Sequence, residues 1–89
     1  MKTGTIIKAN NAESNVKVAP KNGKDFSLGE LNTIVDGYIE IVRIPNSKDI
    51  LIVNEDGLQK NLPYNVLASV YANQRIVGNV LRCNKNMVK

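Results

Sequence analysis

Apolar and polar residues alternate in short runs along this chain, a pattern typical of a small domain with several strands. Residues 3–9 and 16–18 predict the strands of an N-terminal hairpin, joined by a polar, turn-prone segment at residues 10–15. Residues 38–44 and 50–53 are β-branched and nearly continuously apolar, so they predict a second pair of strands. We expect the first of this pair to be a central strand, covered on at least one face, and the second to be buried on both sides.

Two short helices are also predicted. Ser27 and Glu30 stand at capping-box spacing, and Gly37 is a natural stop for the first helix. Pro63 can open the second helix and Asn73 can end it. Each helix has an apolar face at helical spacing: Leu28, Leu31, Ile34 and Val35 in the first, and Val66, Leu67, Val70 and Tyr71 in the second.

The remaining segments complete the predicted fold. Residues 58–62 form a short strand or a loop, and residues 76–83 form a final strand in which Gly78 marks a bulge or a close backbone approach. We therefore predict an α+β fold, a small antiparallel or mixed sheet of about five strands packed against two short helices. Residues 1–84 would form this single domain, and residues 85–89 a flexible C-terminal tail.

The composition agrees with one small globular domain. The chain has 89 residues, of which 43% are hydrophobic and 22% charged. It has no apolar run near the roughly 20 residues that span a bilayer, so we expect no membrane partner. Its N-terminus has no signal-peptide pattern, and we expect a cytoplasmic location.

Several classes of chemistry are disfavoured. The chain has no His and a single cysteine, Cys83, so it has no His-dependent nucleophile, no internal disulfide and no obvious metal site. Arg82 and Lys85 would lower the pKa of Cys83 if they lay beside it; the alternative is a buried thiol without a chemical role. We expect a protein without cofactor or metal that is not an enzyme.

The net charge of +4 favours anionic partners, such as nucleotides, nucleic acid or an acidic protein surface. The cations are scattered, and they form either a solvated surface or a phosphate clamp assembled between subunits of a homo-oligomer. The cations considered for such a clamp are Lys17, Lys21, Lys24, Lys48, Lys60 and Arg75.

Candidate site residues concentrate between positions 38 and 65. Tyr38 and Glu40 would lie on one face of a strand, with Arg43 on the other. Tyr38 and Glu40 would either bind a base edge or a ribose hydroxyl, or pack and pair within the fold. Asn54 and Asn65 would either recognise a planar polar ligand or cap turns and helices. Glu55 and Asp56 are adjacent carboxylates whose side chains diverge, which argues against a general acid and base pair.

Four motifs in order give the chain a resemblance to a known family. They are Gly-Tyr-Ile-Glu at 37–40, Asn-Glu-Asp-Gly at 54–57, Leu-Pro-Tyr-Asn at 62–65, and Ile-Val-Gly at 76–78. About half the chain thus resembles a family of small domains of unknown function encoded by bacteriophages, prophages and mobile elements. The family pattern usually has Gly before Leu-Pro-x-Asn, where this chain has Asn61. The resemblance implies a phage or mobile-element origin and a small α+β fold, and no activity.

Together these features suggest a non-enzymatic, phage-encoded binding protein that counteracts a host defence in the host cytoplasm. It would sequester a nucleotide-derived signal or bind a defence protein. Arg43, Lys48 or Lys60 would contact phosphate, while a second set of residues would read the base or ribose. That second set is Tyr38, Asn54 and Asn65, with Glu40 as a further candidate. The alternatives are a nucleic-acid-associated phage regulator and an enzyme that acts through Glu40 or Glu55.

Overall fold

The computed structural model describes residues 2–10 and 15–88, and within them five strands form one antiparallel sheet. Its order is β2-β1-β5-β4-β3, and the predicted α+β class is confirmed. Two helices and a short 3₁₀ helix complete the described elements. The bounds are β1 (Gly4–Ile7), β2 (Val16–Val18), α1 (Leu28–Val35), β3 (Ile39–Arg43), β4 (Asp49–Asn54), α2 (Val66–Ala72), β5 (Val80–Asn84) and the 3₁₀ helix (Lys85–Met87).

The two helices cover opposite faces of the sheet, because side chains alternate between faces along each strand. The α2 face of the core includes Leu51, Val53, Ala68 and Ala72, and the α1 face includes Ile50, Ile52, Leu31 and Val35. Burying each large aliphatic side chain contributes about 1.5–3 kcal/mol. The prediction that the strand at residues 50–53 is buried on both sides is confirmed in β4.

Local capping signals position α1. The Ser27 hydroxyl accepts a hydrogen bond from the Glu30 amide at 3.2 Å, and the Glu30 carboxylate accepts one from the Ser27 amide at 3.0 Å, which confirms the capping box. That bond, together with one from the Lys21 amide, lowers the pKa of Glu30. At the other end Asp36, rather than Gly37, takes the left-handed conformation that closes the helix.

The strand predicted at 38–44 is the edge strand β3, so its predicted central place in the sheet was wrong. Its predicted cover on at least one face is confirmed, because Val42 and Ile44 are buried in the core on the α2 face. The sheet continues beyond β4 through β5, so nothing in the described chain pairs with the outer side of β3. Ile41 is consequently 51% exposed. An apolar run shows that a strand is favoured but does not fix its place in the sheet.

Residues 58–62 form a loop, which was one of the two alternatives for this segment. Two element boundaries differ from the predictions, the first being that α2 begins at Val66 after an Asn65 N-cap rather than at Pro63. The last strand begins only at Val80, because Gly78 has a φ of 79° and its neighbours take irregular backbone. A Cβ on Gly78 would stand 2.9 Å from Leu62 Cδ1, which confirms a close approach there.

The predicted tail at 85–89 does not hold for residues 85–88. The 3₁₀ helix buries Met87, and Val88 forms a bridge with Phe26 on the α1 face. Apolar burial outweighs the fraying expected of a chain end. Lys89 lies outside the described residues.

The N-terminal hairpin is confirmed by the antiparallel pairing of β1 with β2. Most of its predicted turn, residues 11–14, lies outside the described residues. In the part of the chain that is described, no helix is both long and apolar enough to cross a bilayer.

Cys83 lies in β5 and is only 3% exposed. Burial, with the negative charge of Asp49, raises its pKa from an ordinary value of 9.0 to about 11. Of the two alternatives for Cys83, the structure therefore supports the buried thiol rather than a pKa lowered by Arg82 and Lys85. The pKa of this thiol is higher in the folded protein than in the unfolded chain, so the thiol ionises first in the unfolded chain. Its ionisation therefore leaves the free energy of unfolding unchanged below pH 9.0 and lowers it as the pH rises towards about 11.

We predict that Cys83 reacts slowly with a thiol reagent such as DTNB at pH 8 in the native protein, and rapidly in denaturant. The physical reason is that the thiolate is the reactive species and burial suppresses it. Stopped-flow absorbance on native and unfolded samples provides the comparison, with the unfolded protein as its own control. Equal rates in the two states would contradict the buried placement.

Candidate functional site

A concavity of about 690 Å³ lies between the turn that joins β3 to β4 and the 3₁₀ helix at residues 85–87, and we call it the basic groove. Its cations are Arg43, Lys48 and Lys85, and its apolar wall includes Ile41 and Val88. Its volume falls in the range of small-molecule sites, roughly 300–1,000 Å³.

Backbone hydrogen bonds hold the two lysine-bearing segments together. The Lys85 amide donates to the Lys48 carbonyl at 3.0 Å, which joins the 3₁₀ helix to the turn. Within the turn, Asn46 has a φ of 61° and the Ser47 hydroxyl accepts from the Asp49 amide at 3.0 Å. These contacts fix the backbone from which both ammonium groups extend.

The groove has an excess of positive charge. Asp49 is its one carboxylate, and Arg82 occupies it through an ion pair of 3.0 Å, with both side chains about one third exposed. Arg82 also stacks on Tyr71, with 4.4 Å from its guanidinium carbon to the ring centroid. Among the described residues no carboxylate lies within ion-pair distance of the three groove cations, so their charge is available to a ligand.

A second concavity of about 240 Å³ lies on the α2 face of the sheet. Glu40 and Glu55 line it together with Arg75, whose guanidinium carbon lies 5.2 Å from the Tyr64 ring centroid. Its charges are mixed, with two carboxylates beside one cation. This concavity is smaller and carries less net charge than the basic groove.

The structure divides the predicted site residues between places that do not meet. Arg43 and Lys48 share the basic groove on the α1 side, as Arg43 pairs with Ile50 of β4. Glu40 pairs with Val53 and faces α2, and Tyr38 just before it is 73% exposed. The opposite orientation of Glu40 and Arg43 follows from this register, as the alternation predicts.

Lys60 lies elsewhere again, with its Nζ about 3.2 Å from the position that a Gly37 Cβ would occupy. Sequence reasoning missed Lys85, because it assigned this residue to a tail. The apolar Met87 and Val88 that follow Lys85 are the signal that the segment packs.

Asn54 is buried, with 6% exposure, and acts as a structural tie. Its Nδ2 donates to the carbonyls of Val35 at 3.0 Å and Asp36 at 3.2 Å, at the C-terminal end of α1. Its Oδ1 accepts from the Asp56 amide at 2.8 Å. A Cβ at position 37 would stand 2.8 Å from this Nδ2, so Gly37 makes the approach possible.

Asn65 is 1% exposed and joins three segments. Its Nδ2 donates to the carbonyls of Ile7 at 3.0 Å and Gly78 at 2.8 Å. Its Oδ1 accepts from the Ala68 amide at 3.1 Å and caps α2. The structure thus gives Asn54 and Asn65 the capping alternative that the sequence left open, and we do not retain them in the candidate site.

We predict that Asn65→Ala lowers the free energy of unfolding by about 3 kcal/mol, because it removes the α2 cap and two hydrogen bonds to buried carbonyls. Urea denaturation followed by circular dichroism measures the loss. Asn86→Ala is the matched control, since Asn86 is exposed and its side chain makes no hydrogen bond with any described residue; it should change stability by less than about 0.5 kcal/mol. A loss below about 1 kcal/mol for Asn65→Ala would contradict the structural role.

Metal binding has no evident basis in the described residues, which contain no group of three or more His, Cys, Asp or Glu side chains placed to hold an ion. Asn61, in the turns that follow β4, has a φ of 54°. Asn is among the few residues besides Gly that tolerate this left-handed conformation.

Comparison with known proteins finds a family model that matches residues 4–87 of the chain. No curated protein and no solved structure matches the chain. The matched span includes the four motifs and extends to β1 and α1, well beyond the half of the chain that carries the resemblance. The chain belongs to the family described as Domain of unknown function (DUF3846).

Proposed function

We propose that this protein is a non-enzymatic binding protein that takes a phosphate-bearing, nucleotide-type anion in the basic groove. The observation that carries the proposal is the convergence of Arg43, Lys48 and Lys85 on one concavity whose only carboxylate is already paired. Several cations on one anion form charge-assisted hydrogen bonds, which are about twice as strong as neutral ones.

The three cations have complementary roles in this proposal. The Arg43 guanidinium is planar and binds two oxygens of one phosphate at once. Lys48 and Lys85 act as point charges on the neighbouring oxygens, and the bond between their backbones keeps them adjacent. These three cations would be sufficient to bind an inorganic anion such as phosphate.

The apolar wall favours a ligand with an organic part. Ile41 is 51% exposed at the mouth of the groove, and Val88 lies on its other side. A base or ribose laid against these side chains would bury apolar surface, worth roughly 25 cal/mol for each Å². Tyr38 and Glu40 face the other side of the sheet, so in this proposal they do not read the ligand.

The biological setting we propose is a phage-encoded protein that counteracts a host defence, in the host cytoplasm. Sequestering a nucleotide-derived signal would need binding and no catalysis, which suits a small domain with a charged groove. Capture of a defence protein is the other form of this proposal, with the same cationic surface docking on an acidic partner. Both rest on the resemblance to phage and mobile-element domains.

Nucleic-acid binding is the second candidate function, favoured by the net charge of +4 and the clustered groove cations. Duplex binding would weaken steeply with added salt, because each neutralised phosphate releases counterions. A small nucleotide held by three cations in a groove would show a shallower dependence. The salt dependence therefore separates the two candidates.

The test is isothermal titration against ADP-ribose derivatives, a set of cyclic oligonucleotides, and pyrophosphate. We expect one or more nucleotide ligands to bind, and Arg43→Ala or Lys85→Ala to weaken binding about tenfold each through loss of a charge-assisted hydrogen bond. Lys60→Ala is the matched control, because it removes the same charge outside the groove and should leave affinity within about twofold.

If none of these ligands binds, the proposal of nucleotide capture is wrong. If Lys60→Ala weakened binding as much as Arg43→Ala, the net charge rather than the groove would hold the anion. Binding of a short duplex in a gel shift, with a steep salt dependence and no nucleotide binding, would favour the second candidate.

A further inference from the structure

The sheet ends in two edges of different character. The β2 edge has only three residues with Lys17 at its centre, and a short strand with a central lysine discourages pairing. The β3 edge has five residues without proline, and its exposed central residue is Ile41. An exposed edge with an apolar centre is a template for another strand.

The hydrogen-bond pattern shows which groups β3 offers. The Glu55 amide donates to the Tyr38 carbonyl at 2.9 Å, so the backbone of Tyr38 points towards β4. In an antiparallel ladder this direction alternates with each residue. The amides and carbonyls of Ile39, Ile41 and Arg43 therefore point outward, where the described chain supplies no partner strand.

We propose that β3 pairs antiparallel with β3 of a second copy of this chain, with Ile41 opposite Ile41 of the second copy. In this register Ile39 lies opposite Arg43 of the second copy, and all three outward residues of each strand find partners. The two exposed Ile41 side chains meet on the α1 face at the twofold axis. No charged residue stands opposite one of like sign.

The two neighbouring pairing registers would be less stable than the one with Ile41 opposite Ile41. A shift in one direction would place Glu40 opposite Glu40 of the second copy, and like charges directly opposed destabilise a sheet. A shift in the other direction would place Ile39 opposite Pro45, which has no amide to donate. Registers shifted by an odd number of residues would pair side chains from opposite faces, whereas paired residues in a continuous antiparallel sheet share a face.

Pairing would also complete the basic groove. Ile41 and Arg43 both line the groove. Because Ile39 of the second copy lies opposite Arg43 in this register, it would extend the apolar wall of the groove. The two grooves of the dimer would open on the same face of the joined sheet, with their Arg43 Cα atoms about 14 Å apart from the rise per residue and strand spacing. This last consequence rests on the proposed anion function, whereas the pairing itself does not.

Cysteine substitution tests the register. Ile41→Cys would place two thiols on a pair with Cα atoms about 5.5 Å apart, within disulfide range. We expect a linked dimer on mild oxidation, seen on a non-reducing gel. Arg43→Cys is the matched control on the same exposed face, and at about 14 Å it should not link. The native Cys83 is buried and should not contribute.

Sedimentation equilibrium tests the interface itself. The wild-type protein should approach twice its chain mass of 9.8 kDa as concentration rises. Ile41→Pro should remain monomeric, because it removes an outward amide while the ladder to β4 keeps its bonds; its circular dichroism should match the wild type. A wild-type monomer at 1 mM-scale concentration, roughly the limit of weak association, would overturn the proposal. So would a dimer that survives Ile41→Pro, or equal cross-linking of the two cysteine variants.

Discussion

The fold depends on one buried polar side chain, Asn65, that satisfies three backbone groups at once. Its amide ties the end of β1 to the segment before β5, and its carbonyl oxygen begins α2. Leaving a buried backbone group without its hydrogen bond costs about 1–3 kcal/mol. On the α1 face of the sheet, the side-chain amide of Asn54 has a similar role, because it donates to two carbonyls at the C-terminal end of α1. The two helices keep their positions on opposite faces because these two amides fix their ends.

The two buried asparagines and the groove cations lie at opposite ends of β4. Asn54 ends this strand, and Asn65 lies near the same end through Ile7, which pairs with Val80. At the strand's start Asp49 is held by Arg82, while Arg43, Lys48 and Lys85 lie around it without carboxylate partners. At the Asn54 end of β4 the polar side chains of the two asparagines bond to the backbone. At the Asp49 end the positive charge of the three cations is available to a ligand. A rigid scaffold with unpaired cations at one edge is a suitable form for an anion site.

The features that the sequence predicted correctly are local ones. The capping box of Ser27 and Glu30 and the pairing of the first two strands depend on residues close in the chain. The edge position of β3 could not be predicted, since it depends on β5 lying on the far side of β4. Lys85 was not predicted as a site residue for the same reason, because only folding brings it to Lys48. Asn54 and Asn65 stayed ambiguous because an amide suits a cap and a ligand equally well.

The central claim is that the ligand-binding surface is the basic groove and that the buried asparagines belong to the scaffold. An amide-resolved NMR titration of the labelled protein with ADP-ribose tests it most directly. The account predicts shifts confined to residues 41–50 and 84–88, with the side-chain amides of Asn54 and Asn65 unmoved. Shifts centred on Glu40, Glu55 and Arg75, or on the two asparagines, would contradict it.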